Sequence, residues 1–466
     1  MNQTPTTPVP TTQTTYDESV MRSLHPDCPD WERLGPTKRD SAIRAAAVAQ
    51  QVAAEEREST WAGGFNRRTF LKGGLGVGVA VLGSQLVTSR VSYAAADTPS
   101  TGTLVVIFLR GGLDGLSLLV PAADPNYLAR RPGVGIQSSK LIQMDRGFGL
   151  HPSLAPLKPL ITRGMVAAVP AVSTPDLSRS HFQAQDCLER GSTNSLTSGW
   201  LDRVLEASGA GTTFRSVAVG GMTPRSLMGT SGTIAMRNID SISLNVNDED
   251  LSNTKDALRS LYTGIDHPIA QQTTLALGAL DTIESIVNAP SGPVTTYPEG
   301  NFADALQSLA MLIKAQAGVR VACIDVGGWD THTGMGNVDN GDMKRHLGDL
   351  AAALAAFTAD IGDTNLGKTT IVTMSEFGRR VQENASGGTD HGHGGAVLVI
   401  GGGVHGGVHG TWKGLTPDVL EQGDVPGWND YRDVLTEVVT KRLDLSTGAL
   451  SGVFPDWHAQ PVGVMA

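Results

Sequence analysis

The sequence predicts an α/β fold, with a mostly parallel central sheet and helices on both faces. Three observations carry this. Short, unbroken apolar runs rich in Val and Ile recur from residue 104 to residue 400, as strands covered on both faces require. Helical patterns stand between several of them, which is the alternation of a parallel sheet. Carboxylates and imidazoles beside glycines sit where the runs end, at the rim where open parallel sheets bind ligands.

In chain order, residues 1–65 form an extension outside this pattern. Residues 1–20 are rich in Thr, Pro and Gln and read as disordered, while 39–58 are rich in Ala and Glu and read as a helix capped by Asp40 or Ser41. Next come Asn66-Arg67-Arg68-Thr69-Phe70-Leu71-Lys72, a Gly-rich apolar stretch from Gly73 to Thr88, and Ala94-Ala95-Ala96. An arginine pair for a receptor, an apolar stretch for the bilayer and small residues for a peptidase together resemble a twin-arginine export signal over 66–96, with Asn66 where Ser or Thr is usual. The resemblance implies export by the twin-arginine machinery, cleavage after Ala96, and a periplasmic, wall-associated or secreted protein. Ser84 and Gln85 interrupt the apolar stretch, which falls short of the roughly 20 residues a membrane span takes. No stable span is therefore expected after processing. That route moves folded proteins and suits chains that take up a metal or cofactor before export.

Residues 97–102 read as a linker, and 103–466 as a single α/β domain. Its expected strands are Leu104–Leu109, Met165–Val169, Ser216–Val219, Val319–Val326, Thr370–Met374 and Ala396–Ile400. Its expected helices include Phe302–Ala317, Lys344–Ile361, with Leu347, Leu350, Leu354 and Phe357 on one side, and Tyr431–Leu443. Residues 205–300, rich in Ser, Thr and Asn, read as an insertion or cap over the sheet.

Bulk properties exclude some functions. The chain has 466 residues and a net charge of −10, and it lacks the basic stripe of a nucleic-acid binder. Cys28 precedes the signal; Cys187 and Cys323 are too few for a disulfide framework and read as buried free thiols. The Gly-rich stretch Gly402–Gly410 lacks the Lys-Ser/Thr ending of a phosphate-cradling loop, and no Gly-x-Ser-x-Gly elbow stands out.

The chemistry collects at four strand ends. Arg110-Gly-Gly-Leu-Asp114 follows the first run, Gly327-Gly-Trp-Asp330-Thr-His332 the fourth, and Ser375-Glu376-Phe-Gly-Arg379 the fifth; Asp390-His391-Gly-His393 precedes the sixth. Mixed carboxylate and imidazole donors suit Zn²⁺ or Mn²⁺ and, with more oxygens, Mg²⁺ or Ca²⁺. Each segment also has a plain reading: Asp114 as a turn residue, Glu376 as a helix cap, and Asp330, His332, Asp390, His391 and His393 as loop polarity. His405 and His409, in a glycine stretch, suggest a second site only faintly.

These motifs, together with Ser180–Asp186 and Gly199-Trp-Leu201, resemble a family of exported bacterial proteins known only as a domain of unknown function. That family is similar in turn to the alkaline phosphatase and sulfatase superfamily. The resemblance implies Asp114, Asp330, His332, Glu376 and His393 as metal ligands, with Asp390 and His391 beside them. It implies Ser180 as nucleophile, His181 as its orienter or as the acid for the leaving group, and Arg179 or Arg379 as the clamp on substrate oxygens. His151-Pro-Ser-Leu-Ala-Pro-Leu157 is similar to a sulfatase segment leading to the nucleophile. Phe377 stands where the superfamily has a second histidine, and the cysteine signature of sulfatases is absent. The expected function is therefore an exported metal-dependent hydrolase of phosphate or sulfate esters. The alternative is a metal-stabilised binding or assembly protein without turnover.

Overall fold

The computed structural model describes residues 102–466 apart from positions 221, 245, 247, 265–267, 289–291 and 456. The extension, the twin-arginine segment, Cys28 and nearly all of the linker lie outside the described residues.

Strand β1 (Thr103–Leu109) opens the domain and is fully buried. Strands β2 (Leu119–Val120), β3 (Ile142–Gln143) and β4 (Gly149–Leu150) make a separate small sheet. The central sheet adds β5 (Val166–Ser173), β6 (Ser216–Val219), β7 (Ile234–Met236), β8 (Val321–Val326), β9 (Thr369–Met374), β10 (Gly395–Gly401), β11 (Gly407–Val408) and β12 (Asn429–Asp430). Its order is β11-β5-β10-β9-β1-β8-β6-β7, with β12 also paired to β5. Only β10 runs against the others among the described strands. The mostly parallel α/β sheet expected from the apolar runs is therefore present.

The main helices are α1 (Gly115–Leu118), α2 (His181–Arg190), α3 (Trp200–Ala207), α4 (Asp248–Tyr262), α5 (Pro268–Val287), α6 (Asn301–Lys314), α7 (Asp342–Leu366) and α8 (Tyr431–Arg442). Alternate residues of β1 enter opposite cores. Val105, Ile107 and Leu109 pack with Leu306 and Leu309 of α6 and Leu350, Leu354 and Phe357 of α7. Leu104, Val106 and Phe108 pack with Leu201 and Val204 of α3 and Val434 and Val438 of α8. Each such aliphatic side chain contributes roughly 2 kcal/mol on burial, and the two-sided covering explains why the strands read as unbroken apolar runs. Residues 205–300, expected as an insertion or cap, contribute β6 and β7 to the sheet edge, then α4 and α5. No helix among the described residues is long and apolar enough to cross a membrane.

His151 is fully buried ahead of the short 3₁₀ turn Pro152–Leu157, and its Nδ1 accepts the Ser153 N–H at 3.1 Å. Burial, with the nearby Lys344 charge, pulls this imidazole from 6.5 down to about 4. The unfolded chain therefore binds a proton that the folded chain refuses. This contribution is whole above pH 6.5 and is lost as the pH falls towards 4, amounting to about 3 kcal/mol at 1.36 kcal/mol per unit. Denaturant unfolding between pH 7 and 4.5 is expected to show that decline, and a His151→Asn variant to show a shallower one. Equal slopes would contradict the assignment.

Candidate metal centre

Sheet register brings the four segments together. Leu109 of β1 lies opposite Val326 of β8, and Phe108 opposite Met374 of β9, so the loops after these strands leave at one level. Because β10 is reversed, its first residue Gly395 lies opposite Val172 near the end of β5, and the residues before β10 reach the same rim. Residues 378–380 and 390–393 then pair as a short ribbon, with Gly378 N–H on the His393 carbonyl at 2.8 Å and Arg380 N–H on the Asp390 carbonyl at 2.9 Å. Close approach here demands glycine: at Gly111 (φ +122°) a Cβ would stand 2.5 Å from the Asp330 nitrogen.

Three imidazoles converge on Asp330. His332 Nε2 lies 3.1 Å and His391 Nε2 3.2 Å from its Oδ1, and His181 Nε2 lies 3.6 Å from its Oδ2. His332 Nε2 and His391 Nε2 are 3.0 Å apart. Nitrogens bound at about 2.0–2.1 Å around a tetrahedral ion stand roughly 3.3 Å from one another, so donors this close could share an ion. Of these, His181, Asp330 and His391 form a group whose donor atoms all lie within 4.8 Å of one another; His332 stands outside that group, beside Asp330 and His391. His181 Nε2 is buried and has no hydrogen-bond partner.

The opposite ring nitrogens are each held. His181 Nδ1 meets Glu376 Oε1 at 2.8 Å, His332 Nδ1 meets Asp390 Oδ1 at 3.0 Å, and His391 Nδ1 meets the Arg179 carbonyl at 3.0 Å. Acceptors at Nδ1 keep a proton there, as in metal-binding histidines, so that an ion could take each Nε2, which in the ion-free protein faces Asp330. Glu376 is itself fixed by Gly111 N–H and Gln185 Nε2, each at 2.9 Å, and Asp390 by Asn384 Nδ2 at 3.1 Å.

The charges match this arrangement. Burial opposes the charge on Asp330, yet the three imidazoles and the Arg379 guanidinium hold its carboxyl far below the usual range. Burial likewise opposes charge on Glu376, but bonds from His181 and Gln185 bring it down to about 2. Burial would lower His181, and the Asp330 and Glu376 carboxylates outweigh it, pushing this imidazole up to about 9. Burial keeps His391 below its ordinary value. The two carboxylates thus face the His181 proton and the Arg379 guanidinium, and a bound ion would displace that proton.

Several expectations need correction. Asp114, expected as a ligand, is fully buried in an ion pair with Arg131 at 2.8 Å; it caps α1 through Ser117 N–H and accepts from Thr389 Oγ1. Burial disfavours its charge, and Arg131 restores it. Glu376 and Asp390 hold imidazoles from behind rather than joining the central donors. His181, expected to serve a nucleophile, is one of those donors. His393 turns away, with Nε2 3.1 Å from the Thr174 carbonyl and Nδ1 4.0 Å from Glu421. Arg379, expected to clamp a substrate, is buried and turned to the protein: Nε goes to the Gly112 carbonyl, Nη1 to that of Thr389, and Nη2 to Gly111, Trp329 and Asp330. The Arg179 guanidinium is paired with Asp424. Ser180 sits at the N-cap of α2, half-buried, without a side-chain cap bond, one residue before His181. Phe377 packs its ring 4.9 Å from that of His181 and 4.7 Å from that of His391, so an apolar wall stands where the resemblance sought a second histidine. The rings of His405 and His409 lie 5.0 Å apart, tilted by 53°, but join no three-donor group among the described residues.

Sequence reasoning missed Gln185, Asn384 and Arg131. Gln185 alone carried a usable signal, one helical turn after His181 on the same face.

None of the curated proteins compared with the chain matches it. Among solved structures it is similar to the alkaline phosphatase of the Antarctic bacterium TAB5 (9% identity, 67% of this chain and 95% of that one, TM-score 0.24). It is also similar to the PsFucS1 sulfatase of Pseudoalteromonas sp. (14%, 84% and 74%, 0.30) and to the phosphonate monoester hydrolase of Agrobacterium radiobacter (13%, 74% and 74%, 0.29). Likenesses this distant carry nothing about chemistry, which the site's own residues must supply. A family model described as a protein of unknown function, DUF1501, matches residues 151–426, a span that takes in the ligand cluster and more than half of the sequence. The chain belongs to the DUF1501 family.

Proposed function

We propose that the protein is an exported hydrolase of phosphate or sulfate esters that works with one divalent metal ion held by His181, Asp330, His332 and His391. The observation that supports this most is the convergence of three Nε2 atoms on one carboxylate, with every Nδ1 held from behind. One metal rather than two follows from Phe377, which offers no ligand. A bound ion would supply a Lewis acid that polarises an ester oxygen and lowers the pKa of a nearby hydroxyl or water. The chain's own residues do the rest. Glu376, Asp390 and the Arg179 carbonyl fix the imidazoles, Arg379 balances the Asp330 charge, and Phe377 keeps water from one side. Ser180, beside His181 at the start of α2, is the candidate nucleophile. Export by the twin-arginine route would deliver the folded, metal-loaded protein.

A second reading has its own support. Three imidazoles and a carboxylate can close a four-coordinate site, as structural zinc centres do, giving a metal-stabilised binding protein. The full-length protein loaded with Zn²⁺ or Mn²⁺ is to be assayed with aryl phosphate and aryl sulfate esters. Hydrolysis lost on chelation, restored by the ion and abolished in His332→Ala is expected. Turnover by the loaded protein no greater than that of His332→Ala would favour the binding protein. A Ser180→Ala variant at the parental rate would leave water as the nucleophile.

A further inference from the structure

His391 owes its orientation to a backbone carbonyl, and that carbonyl belongs to a residue in an unusual conformation. Arg179 has φ +56°, in the left-handed region that side chains other than glycine rarely occupy. A carbonyl can only accept, so the 3.0 Å contact requires a proton on His391 Nδ1 and directs Nε2 to the centre, where it lies 3.2 Å from Asp330 Oδ1. Something must hold Arg179 in place. Its guanidinium pairs with Asp424, whose side chain is 1% exposed. The second Asp424 oxygen has no hydrogen-bond partner, the nearest cation being Arg380 Nε at 3.8 Å. A buried carboxylate oxygen without a hydrogen bond weakens the fold, so stability alone explains it poorly.

Asp424 closes a tight turn with Glu421, each N–H reaching the other's carbonyl at 2.9 and 3.0 Å, over Gln422 (φ +53°) and Gly423 (φ +89°). The next residue, Val425, accepts the Gly394 N–H at 2.8 Å. The turn therefore grips the two loops that carry His181 and His391, one by an ion pair and the other through its backbone.

We propose that Asp424 is a positioning residue of the metal centre: by holding Arg179 it fixes the carbonyl that sets the tautomer of His391. This rests on the reading of the cluster as a metal site, yet its first test needs no metal. In full-length protein labelled with ¹⁵N-histidine and stripped of ions, two-bond ¹H–¹⁵N spectra of the wild type should show His391 protonated at Nδ1. Asp424→Asn should give a mixture of both tautomers. Titration with Co²⁺ alone should then show binding about 10- to 100-fold weaker, with altered visible absorption. If Asp424→Asn fails to fold, Arg179→Gln breaks the pair from its more exposed side and is read in the same way. A folded variant that keeps a single Nδ1–H tautomer overturns the proposal. A tautomer shift in a protein whose wild type takes up no Co²⁺ upholds the positioning and removes the metal function instead.

Discussion

Asp330→Asn is expected to weaken binding of Zn²⁺ or Co²⁺ by more than about 100-fold, beyond what loss of a supporting group behind a ligand costs. Asp330 is the carboxylate of the His181–Asp330–His391 group, and the Nε2 atoms of these two histidines and of His332 lie within 3.6 Å of its oxygens. Replacing it with an amide leaves three neutral imidazoles to meet a dication. The Arg379 guanidinium, whose charge Asp330 neutralises at 2.5 Å, would then face that dication unscreened. Competition with a chromophoric chelator measures the change. An affinity within a few-fold of wild type would remove Asp330 from the ligand set.

Arg131→Met is expected to destabilise the metal-free protein by about 3–5 kcal/mol, because it strands the Asp114 carboxylate at full burial. The same guanidinium also donates to the Val381 carbonyl at 2.9 Å and the Arg380 carbonyl at 2.8 Å, tying the loop after β1 to the ribbon that carries His391. The double variant Asp114→Asn/Arg131→Met should recover part of the loss in urea unfolding, since no lone charge remains. Asp114→Asn by itself should keep its metal. Loss of the ion in that variant would return Asp114 to the ligand set and contradict the account of it as a structural cap.

The sheet was legible because strands buried on both faces leave an unmistakable trace: Leu104–Leu109 and Ala396–Ile400 are apolar without alternation. Direction was not, since an apolar run looks alike read either way. The position of Asp390-His391-Gly-His393 ahead of its strand was the one hint that β10 is reversed. The rim position of the donors was legible for the same reason. Which nitrogen of which histidine faces an ion was not, because that depends on partners far along the chain. Glu376 settles His181 and the Arg179 carbonyl settles His391, and no local spacing announces either. His391 and His393 are two residues apart in a glycine ribbon and look equivalent in sequence; only the Thr174 carbonyl, reached by His393, separates them. Asp114 failed as a ligand because its partner, Arg131, sits in an Ala-Arg-Arg-Pro loop that carries no motif. Residues 205–300 concealed β7 because a strand of three residues, Ile234–Met236, is too short to show a pattern.

The most direct test is anomalous diffraction at the zinc edge from crystals of the full-length protein grown with Zn²⁺, beside crystals of Asp330→Asn. One strong peak is predicted in the wild type, about 2.0–2.2 Å from Nε2 of His181, His332 and His391 and from the Asp330 carboxylate, and none in the variant. A wild-type map with no peak among these four residues, or with its ion at Asp114 or His393 instead, would contradict the account.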